Sequence, residues 1–275
     1  MEGLCGVFDL TRQGYCQARR AAPREALEAE MVVQLVREVR HRMPRLGGRK
    51  LYHLLRADLA GMGLKLGRDG FFAVLRERGL LAPPRRRGTR TTNSFHRFRV
   101  WPNLLGDLAL VRPNQAWGSD ITYLRTWTGF LYLFLVTDLY SRKIVGWALR
   151  ETLEARGALE ALEMALGATT SPQGLIHHSD RGAQYCCDDY VARLRKHGIG
   201  ISMAEVGNPY ENAIPERVNG ILKSEFYLDE TFASRAVARC ATRDAIGIYN
   251  HERPHMSLGL MTPAEKHAEK VTEAA

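Results

Sequence analysis

The sequence predicts an α/β fold, a mixed five-stranded sheet carrying helices, preceded by a small all-helical domain. Three observations predict it. Apolar residues recur at helical spacing through the first eighty positions. From Asn114 onward the pattern changes to strand-length apolar runs that alternate with helical ones. Charge is divided in the same way: residues 1–100 hold 21 Lys/Arg against 9 Asp/Glu, whereas residues 101–275 hold 18 against 21. The basic character therefore belongs to the first third, which points to nucleic-acid contact there; an arginine-rich solvated surface has the same composition.

The helical part is read first. Pro23 to Met43 repeats Met31, Val32, Leu35, Val36 and Val39 on one side, with Glu25 and Glu28 near its start and arginines at its end. Pro44 to Gly48 breaks it. A second helix over about 49–59 carries Leu51, Leu54, Leu55 and Leu59, and a third over about 68–78 carries Phe71, Phe72 and Leu75. Two short helices around the turn at Gly61, Gly63 and Gly67 suit a helix-turn-helix, with Arg49, Lys50, Arg68, Arg76 and Arg78 as candidate DNA contacts. A plain helical bundle shows the same periodicity. Residues 82–113 read as a basic linker whose Arg85, Arg86, Arg87 and Arg90 would meet phosphate. The helical region spans 1–81, the core 114–232, and a C-terminal helical extension 233–275.

Within the core, 117–124, the apolar run 130–138 and 143–149 form an antiparallel meander. A helix over 151–166 follows, then a short strand at 175–178, a helix at 185–197, a strand at 200–203 and a helix at 212–226. Composition excludes other classes. No run of about 18 apolar residues spans a membrane, and the first residues lack the pattern of a signal peptide, so a cytosolic protein is expected. Five cysteines without a CxxC pair argue against a disulfide framework, and adjacent Cys186 and Cys187 argue against zinc held with His177 and His178.

Three carboxylates carry the chemistry. Asp180 and Glu216 enclose 35 residues, but Asp189–Glu225 and Asp229–Glu265 share that interval, so context must choose. Asp180 ends a buried strand, where ligands of α/β sheets gather. Asp120 lies within the hydrophobic strand Trp117–Tyr123, where a carboxylate is costly unless it is paired or binds metal. An ion pair with a linker arginine is the alternative. Asp120, Asp180 and Glu216 together could hold two Mg²⁺ ions over a phosphodiester, with Asp120 bridging. Hydrolysis and strand transfer by a 3′-hydroxyl are then one displacement. Lys223 shares a helix face with Glu216 and is placed for phosphate, although a solvated lysine looks the same. Pro215 confines Glu216 to the helix's first turn, with Asn212 as N-cap. Lys266, His267 and Lys270 read as surface residues.

These segments resemble the second-frame transposase subunit of bacterial insertion sequences with a retroviral-integrase-type DDE core. The resemblance is carried by Leu46–Tyr52, Trp117–Tyr123, Asp138–Trp147, His178–Tyr185, Glu211–Glu225 and Tyr249–Leu258 with Thr262–Glu265. Arg253 in the last of these is a further candidate DNA contact. The resemblance implies an RNase H-like core, catalytic Asp120, Asp180 and Glu216, Mg²⁺ or Mn²⁺, and double-stranded DNA, both element ends and target, as partner. It also implies homo-oligomers on DNA, a place at the bacterial nucleoid, and an upstream-frame partner or fusion. The proline at 215 departs from the family pattern. A nuclease that cuts without joining, and a DNA-binding regulator using residues 24–80, are the competing functions.

Overall fold

The computed structural model describes residues 11–83, 98–106, 108–170, 172–205 and 212–269. The chain divides into two compact units, Met1–Pro84 and Arg85–Ala275. Among the described residues no helix is long and apolar enough to cross a membrane.

The first unit packs three helices around one small core. Helix α1 runs Arg12–Arg42, α2 runs Gly48–Gly61 and α3 runs Arg68–Glu77. Val32, Val33 and Val36 of α1 meet Leu51, Leu55 and Leu59 of α2 and Phe71 and Leu75 of α3, each at most 3 % exposed. The turn between α2 and α3 uses Gly63 at φ 75°, a left-handed position suited to glycine. Helix α1 begins eleven residues before the predicted start, because Pro23 lies inside it. A proline costs a helix one hydrogen bond, but the Thr11 hydroxyl caps the earlier end by accepting from Gly14 N at 3.1 Å.

The second unit is a sheet with helices on it. Its strands are β1 (Ala116–Thr126), β2 (Gly129–Asp138), β3 (Ile144–Arg150), β4 (Ile176–Ser179), β5 (Gly200–Met203) and the two-residue β6 (Thr231–Phe232). The order is β3-β2-β1-β4-β5, with β6 paired to β1. The meander β1–β2–β3 is antiparallel, while β4 pairs parallel to both β1 and β5. Helix α4 (Ala155–Gly167) lays Ala158, Ala161, Leu162 and Ala165 against Trp117, Phe134 and Val136. The helix predicted over 185–197 is two, α5 (Ala183–Cys186) and α6 (Asp188–Lys196), because Cys187 is extended at φ −68°, ψ 152°. Asp188 and Asp189 then sit in the first turn of α6, where carboxylates are favoured.

Helix α4 approaches β3 so closely that a Cβ on Gly146 would lie 2.0 Å from the Ala161 carbonyl oxygen. Backbone cannot yield as a side chain can. Gly146→Ala is therefore expected to cost about 3 kcal/mol or more, at the upper end of overpacking penalties. Thermal denaturation measures it, and an unchanged midpoint would contradict this close packing.

The remaining elements clamp the sheet. Helix α7 (Ala213–Glu225) lies on β1, and α8 (Arg235–His251) is capped by the Ser234 hydroxyl. Asn250 of α8 extends the hydrogen bonding of β3: its Oδ1 accepts from Ile144 N at 2.9 Å, and its Nδ2 donates to Ile144 O at 3.0 Å. Helix α9 (Pro263–Ala268) starts with a capping box from Thr262 and Glu265. His267, predicted at the surface, hydrogen bonds the buried Ser141 hydroxyl at 2.9 Å. Lys266 places its ammonium 4.8 Å from the Tyr140 ring. Lys270 lies outside the described residues. Part of the segment predicted as linker also joins the sheet: Pro102 O accepts from Met203 N, and Leu104 N donates to the Ser202 hydroxyl.

Candidate active site

Asp120 stands in the middle of β1, the central strand. On one edge β4 pairs with β1 only over residues 116–119, and β6 resumes pairing at 125–126. Among the described residues, that edge of β1 has no strand partner over 120–124. Asp180 follows directly after β4 ends at Ser179, so it faces the opening at a strand's carboxyl end.

Glu216 is brought to the same place by α7. The start of that helix rests on β1 at Gly118, where a Cβ would meet Pro215 Cγ at 2.5 Å and Leu139 Cδ2 at 2.7 Å. Pro215 is the third residue of α7, where a missing N–H costs nothing. Asn212 occupies the N-cap position as predicted but does not cap with its side chain. It donates instead to Ser119 O at 3.4 Å, a second tie between α7 and β1.

The Asp120 carboxylate is held by two donors. Ile121 N reaches Oδ1 at 2.9 Å, and Asn219 Nδ2 reaches Oδ2 at 2.8 Å. Burial pushes Asp120 up to about 7; the Asn219 and Ile121 bonds oppose this, and the charges of Asp180 and Glu216 both add to it. The three carboxylates thus act on one another. Among the described residues Asp120's hydrogen-bond donors are these two groups; the arginines of residues 84–97, weighed as an ion-pair partner from the sequence, lie outside the described residues.

Asp180 Oδ1 accepts from Gly182 N at 3.0 Å, which turns the chain away after β4. As they stand, no group of three or more His, Cys, Asp or Glu side chains among the described residues is disposed to hold a metal ion. The donor chemistry nevertheless fits one. The set is all oxygen, which suits Mg²⁺ or Mn²⁺. Each Asp120 oxygen keeps a second lone-pair direction beyond its present donor. A carboxylate raised by burial and two like charges is also one that a cation would relieve.

That shift fixes a pH dependence. Between the ordinary carboxylate value of 3.8 and about 7, the folded chain keeps a proton on Asp120 that the unfolded chain has lost. The stability this contributes is full below 3.8, is lost as pH rises through about 7, and changes no further above. Relative to wild type in the absence of divalent metal, Asp120→Asn is expected to gain stability steadily across that window. Denaturant titrations at several pH values measure it, and parallel profiles for the two proteins would refute the assignment.

Asn219 was not singled out in the sequence, although it lies three residues after Glu216 and so shares its helix face. Lys223 lies one turn further on. Its ammonium sits 4.4 Å from the Tyr123 ring centroid, and burial lowers its pKa while the Tyr123 and Asp120 charges raise it. Behind β1, His177 Nε2 bonds both the Ser119 hydroxyl at 2.8 Å and Tyr190 Oη at 2.9 Å. Burial, with neighbouring His178, holds His177 down to about 3. It is a neutral core histidine. Cys186, beside Met203 Sδ at 3.7 Å, is pushed up to about 11 by burial.

The predicted DNA contacts separate by exposure. Arg49, Arg68, Arg76 and Arg78 are exposed, with Arg68 paired to Asp69 and Arg78 to Glu30, both at 3.0 Å. Lys50 is tucked in at 9 % exposure, its stem covered by the three-helix core. Arg85, Arg86, Arg87 and Arg90 lie outside the described residues. Arg253 must be corrected. It is 3 % exposed and grips Glu225 with two hydrogen bonds, Nε at 2.8 Å and Nη2 at 2.9 Å, so it is committed to a buried carboxylate.

Comparison with known proteins gives a consistent result. Residues 111–209 match the integrase core domain family, and residues 197–263 match a second family of the same description. The chain is 37% identical over 265 residues to the insertion element IS600 uncharacterized 31 kDa protein of Shigella sonnei, covering 95% of this chain and 96% of that one. It is 35% identical over 271 residues to transposase InsF for insertion sequence IS3A of Escherichia coli (strain K12), covering 96% and 93%. Among solved structures, a chain of the simian T-cell lymphotropic virus intasome in complex with PP2A regulatory subunit B56 gamma superposes with a TM-score of 0.51. That match is at 18% identity over 83% of this chain and 78% of the other, a likeness of fold.

Proposed function

This chain belongs to the insertion-sequence transposases with an integrase-type catalytic core, and on that premise we propose that Asp120, Asp180 and Glu216 are its catalytic carboxylates. It is a DNA transposase, a DDE-type polynucleotidyl transferase. The observation that carries the residue assignment is the placement of the three carboxylates: Asp120 in mid-β1, Asp180 directly after β4, and Glu216 at the start of a helix resting on β1. The charges of Asp180 and Glu216 add to the burial that raises Asp120.

Integrase-type cores use divalent metals. Asp120, Asp180 and Glu216 would hold two Mg²⁺ or Mn²⁺ ions, which when bound neutralise charge on the attacking and leaving oxygens of a phosphodiester. The chain's own groups do the rest. Asn219 and Ile121 N fix the Asp120 carboxylate in one orientation. Over 120–124, where the described residues give that edge of β1 no strand partner, the reading places one DNA strand. Lys223 supplies a cation next to that strand, and its partial burial strengthens its pull on a phosphate.

The helix-turn-helix is assigned to the element's terminal inverted repeats through Arg49, Arg68, Arg76 and Arg78. Two ends must be cut and joined together, so a homo-oligomer on DNA is the working form, acting at the nucleoid in the cytoplasm. A partner or fusion from an upstream frame would add to end recognition. The deciding experiment incubates the protein with labelled inverted-repeat ends and Mg²⁺ and resolves nicked from joined products. Joined products support a transposase; nicking alone would mean a nuclease. Neutralising Arg85, Arg86 and Arg87 is expected to weaken binding equally for all sequences and to flatten the log–log salt slope by up to about 2.7. A change of base preference in that variant would instead mean that the linker reads bases.

A further inference from the structure

The face of the sheet that packs on α4 and α6 does not end where those helices end. Ile121 and Tyr132 still pack against the core. The register Tyr123↔Tyr132 and Arg125↔Phe130 continues the same face outward to the β1–β2 turn. There it carries aromatic rings and a cation in the open. Phe130 is 53 % exposed, and Trp127 at the tip is 76 % exposed.

None of these rings is needed to form the turn. Gly129 at φ 125° makes the bend, and the Thr126 hydroxyl closes it by donating to Gly129 O at 3.0 Å. Trp127 is tied down through its backbone, with its N donating to Phe232 O at 3.0 Å. Tyr123 and Phe130 form an edge-to-face pair with centroids 5.5 Å apart. Lys223 stands over Tyr123, and the charge of Arg125 bears on Lys223, as does the opposite charge of Asp229.

We propose that this hairpin, through Trp127 and Phe130 with Arg125 and Lys223 beside them, is a stacking site for an unpaired nucleotide of the DNA strand entering the active site. The proposal rests on the reading of Asp120, Asp180 and Glu216 as the catalytic carboxylates. Aromatic rings flanked by cations suit a nucleotide, which offers a π-face and a phosphate together. A base inside a duplex hides its faces, so only an unpaired one can stack. Along β1 the site begins about 10 Å from Asp120, at Tyr123, and reaches about 23 Å at Trp127, counting one strand residue as about 3.3 Å. Asp120 alternates with Tyr123 and Arg125 along β1, so the hairpin is joined to the site through Lys223, which stands over Tyr123 from the helix of Glu216. It is placed to hold nucleotides several positions from the reacting bond. A protein partner would find the same rings interrupted by two cations.

The test uses the full chain in EDTA, so that binding is separated from chemistry. Two fluorescein-labelled duplex ends of one sequence are compared, one blunt and one with four unpaired thymidines. Trp127→Ala is expected to weaken binding of the extended end by roughly tenfold and to leave the blunt end unchanged, while Trp127→Phe retains most of the difference. Equal affinity of wild type and Trp127→Ala for the extended end would overturn the proposal, and so would equal loss on both ends. A fall in sedimentation mass without a change in DNA preference would assign the hairpin to a second copy of the chain and overturn it as well. Asp120→Asn is expected to keep the preference for the extended end. If that variant still joins DNA in Mg²⁺, the carboxylate reading fails by itself, since the hairpin is judged on metal-free binding.

Discussion

Asp120→Asn is expected to abolish cleavage and strand transfer together, by about 10³-fold or more, while binding of the element ends is kept. The magnitude follows from the several kcal/mol of transition-state stabilisation that metal-borne charge provides, at 1.36 kcal/mol for each factor of ten. The substitution changes one atom at a residue whose neighbours are Ile121 N and Asn219 Nδ2. An amide can still accept one of those bonds but not both, so a small local loss is set against the removal of a buried charge. Circular dichroism and a melting curve separate a folded, inactive protein from an unfolded one. Persistence of joined products with the folded variant would mean that another carboxylate leads the site. Binding should survive because the exposed arginines of α2 and α3 belong to the other unit.

The largest effect on stability is expected at Arg253. Its guanidinium and the Glu225 carboxylate are both nearly fully buried and are joined by two hydrogen bonds, with Nη1 also donating to Pro254 O. Arg253→Ala leaves Glu225 charged with its main partner gone, a situation that costs about 3–5 kcal/mol. The melting temperature should fall on the order of 10 °C. A double variant, Arg253→Met with Glu225→Leu, should recover much of that loss, because two apolar side chains replace a desolvated pair without stranding a charge. Below the melting point, DNA affinity should be untouched in Arg253→Ala. Weaker DNA binding with an unchanged melting curve would restore Arg253 to the DNA interface.

The sheet was legible because its signals are local. Alternation over 117–124, the apolar run at 130–138 and glycine-bounded short strands put five strands within a residue or two of their places. The places of Asp120 within a strand, Asp180 after a strand end and Glu216 in a proline-limited helix start were legible for the same reason. What failed depended on distant partners. Arg253 stands in a polar, basic stretch that reads as surface, and its carboxylate lies 28 residues away at the end of α7. His267 reads as tail, yet it meets Ser141 across 126 residues. The Asp138 carboxylate behind it is pulled below its ordinary value: burial opposes this, but bonds from His267, Ser141 and Asn114 together prevail. Pro23 misled because proline usually marks a helix start, and only the Thr11 cap shows that the helix had already begun. Asn219 could have been found, since three residues after Glu216 is the next position on that face.

The contact of Pro215 with Gly118 sets how the third carboxylate can move. Glu216 is attached to a backbone already pressed on β1, so its helix cannot slide closer to Asp120 without a clash. Adjustment within the site then falls to the three side chains, with the backbone of α7 held on β1 at Gly118.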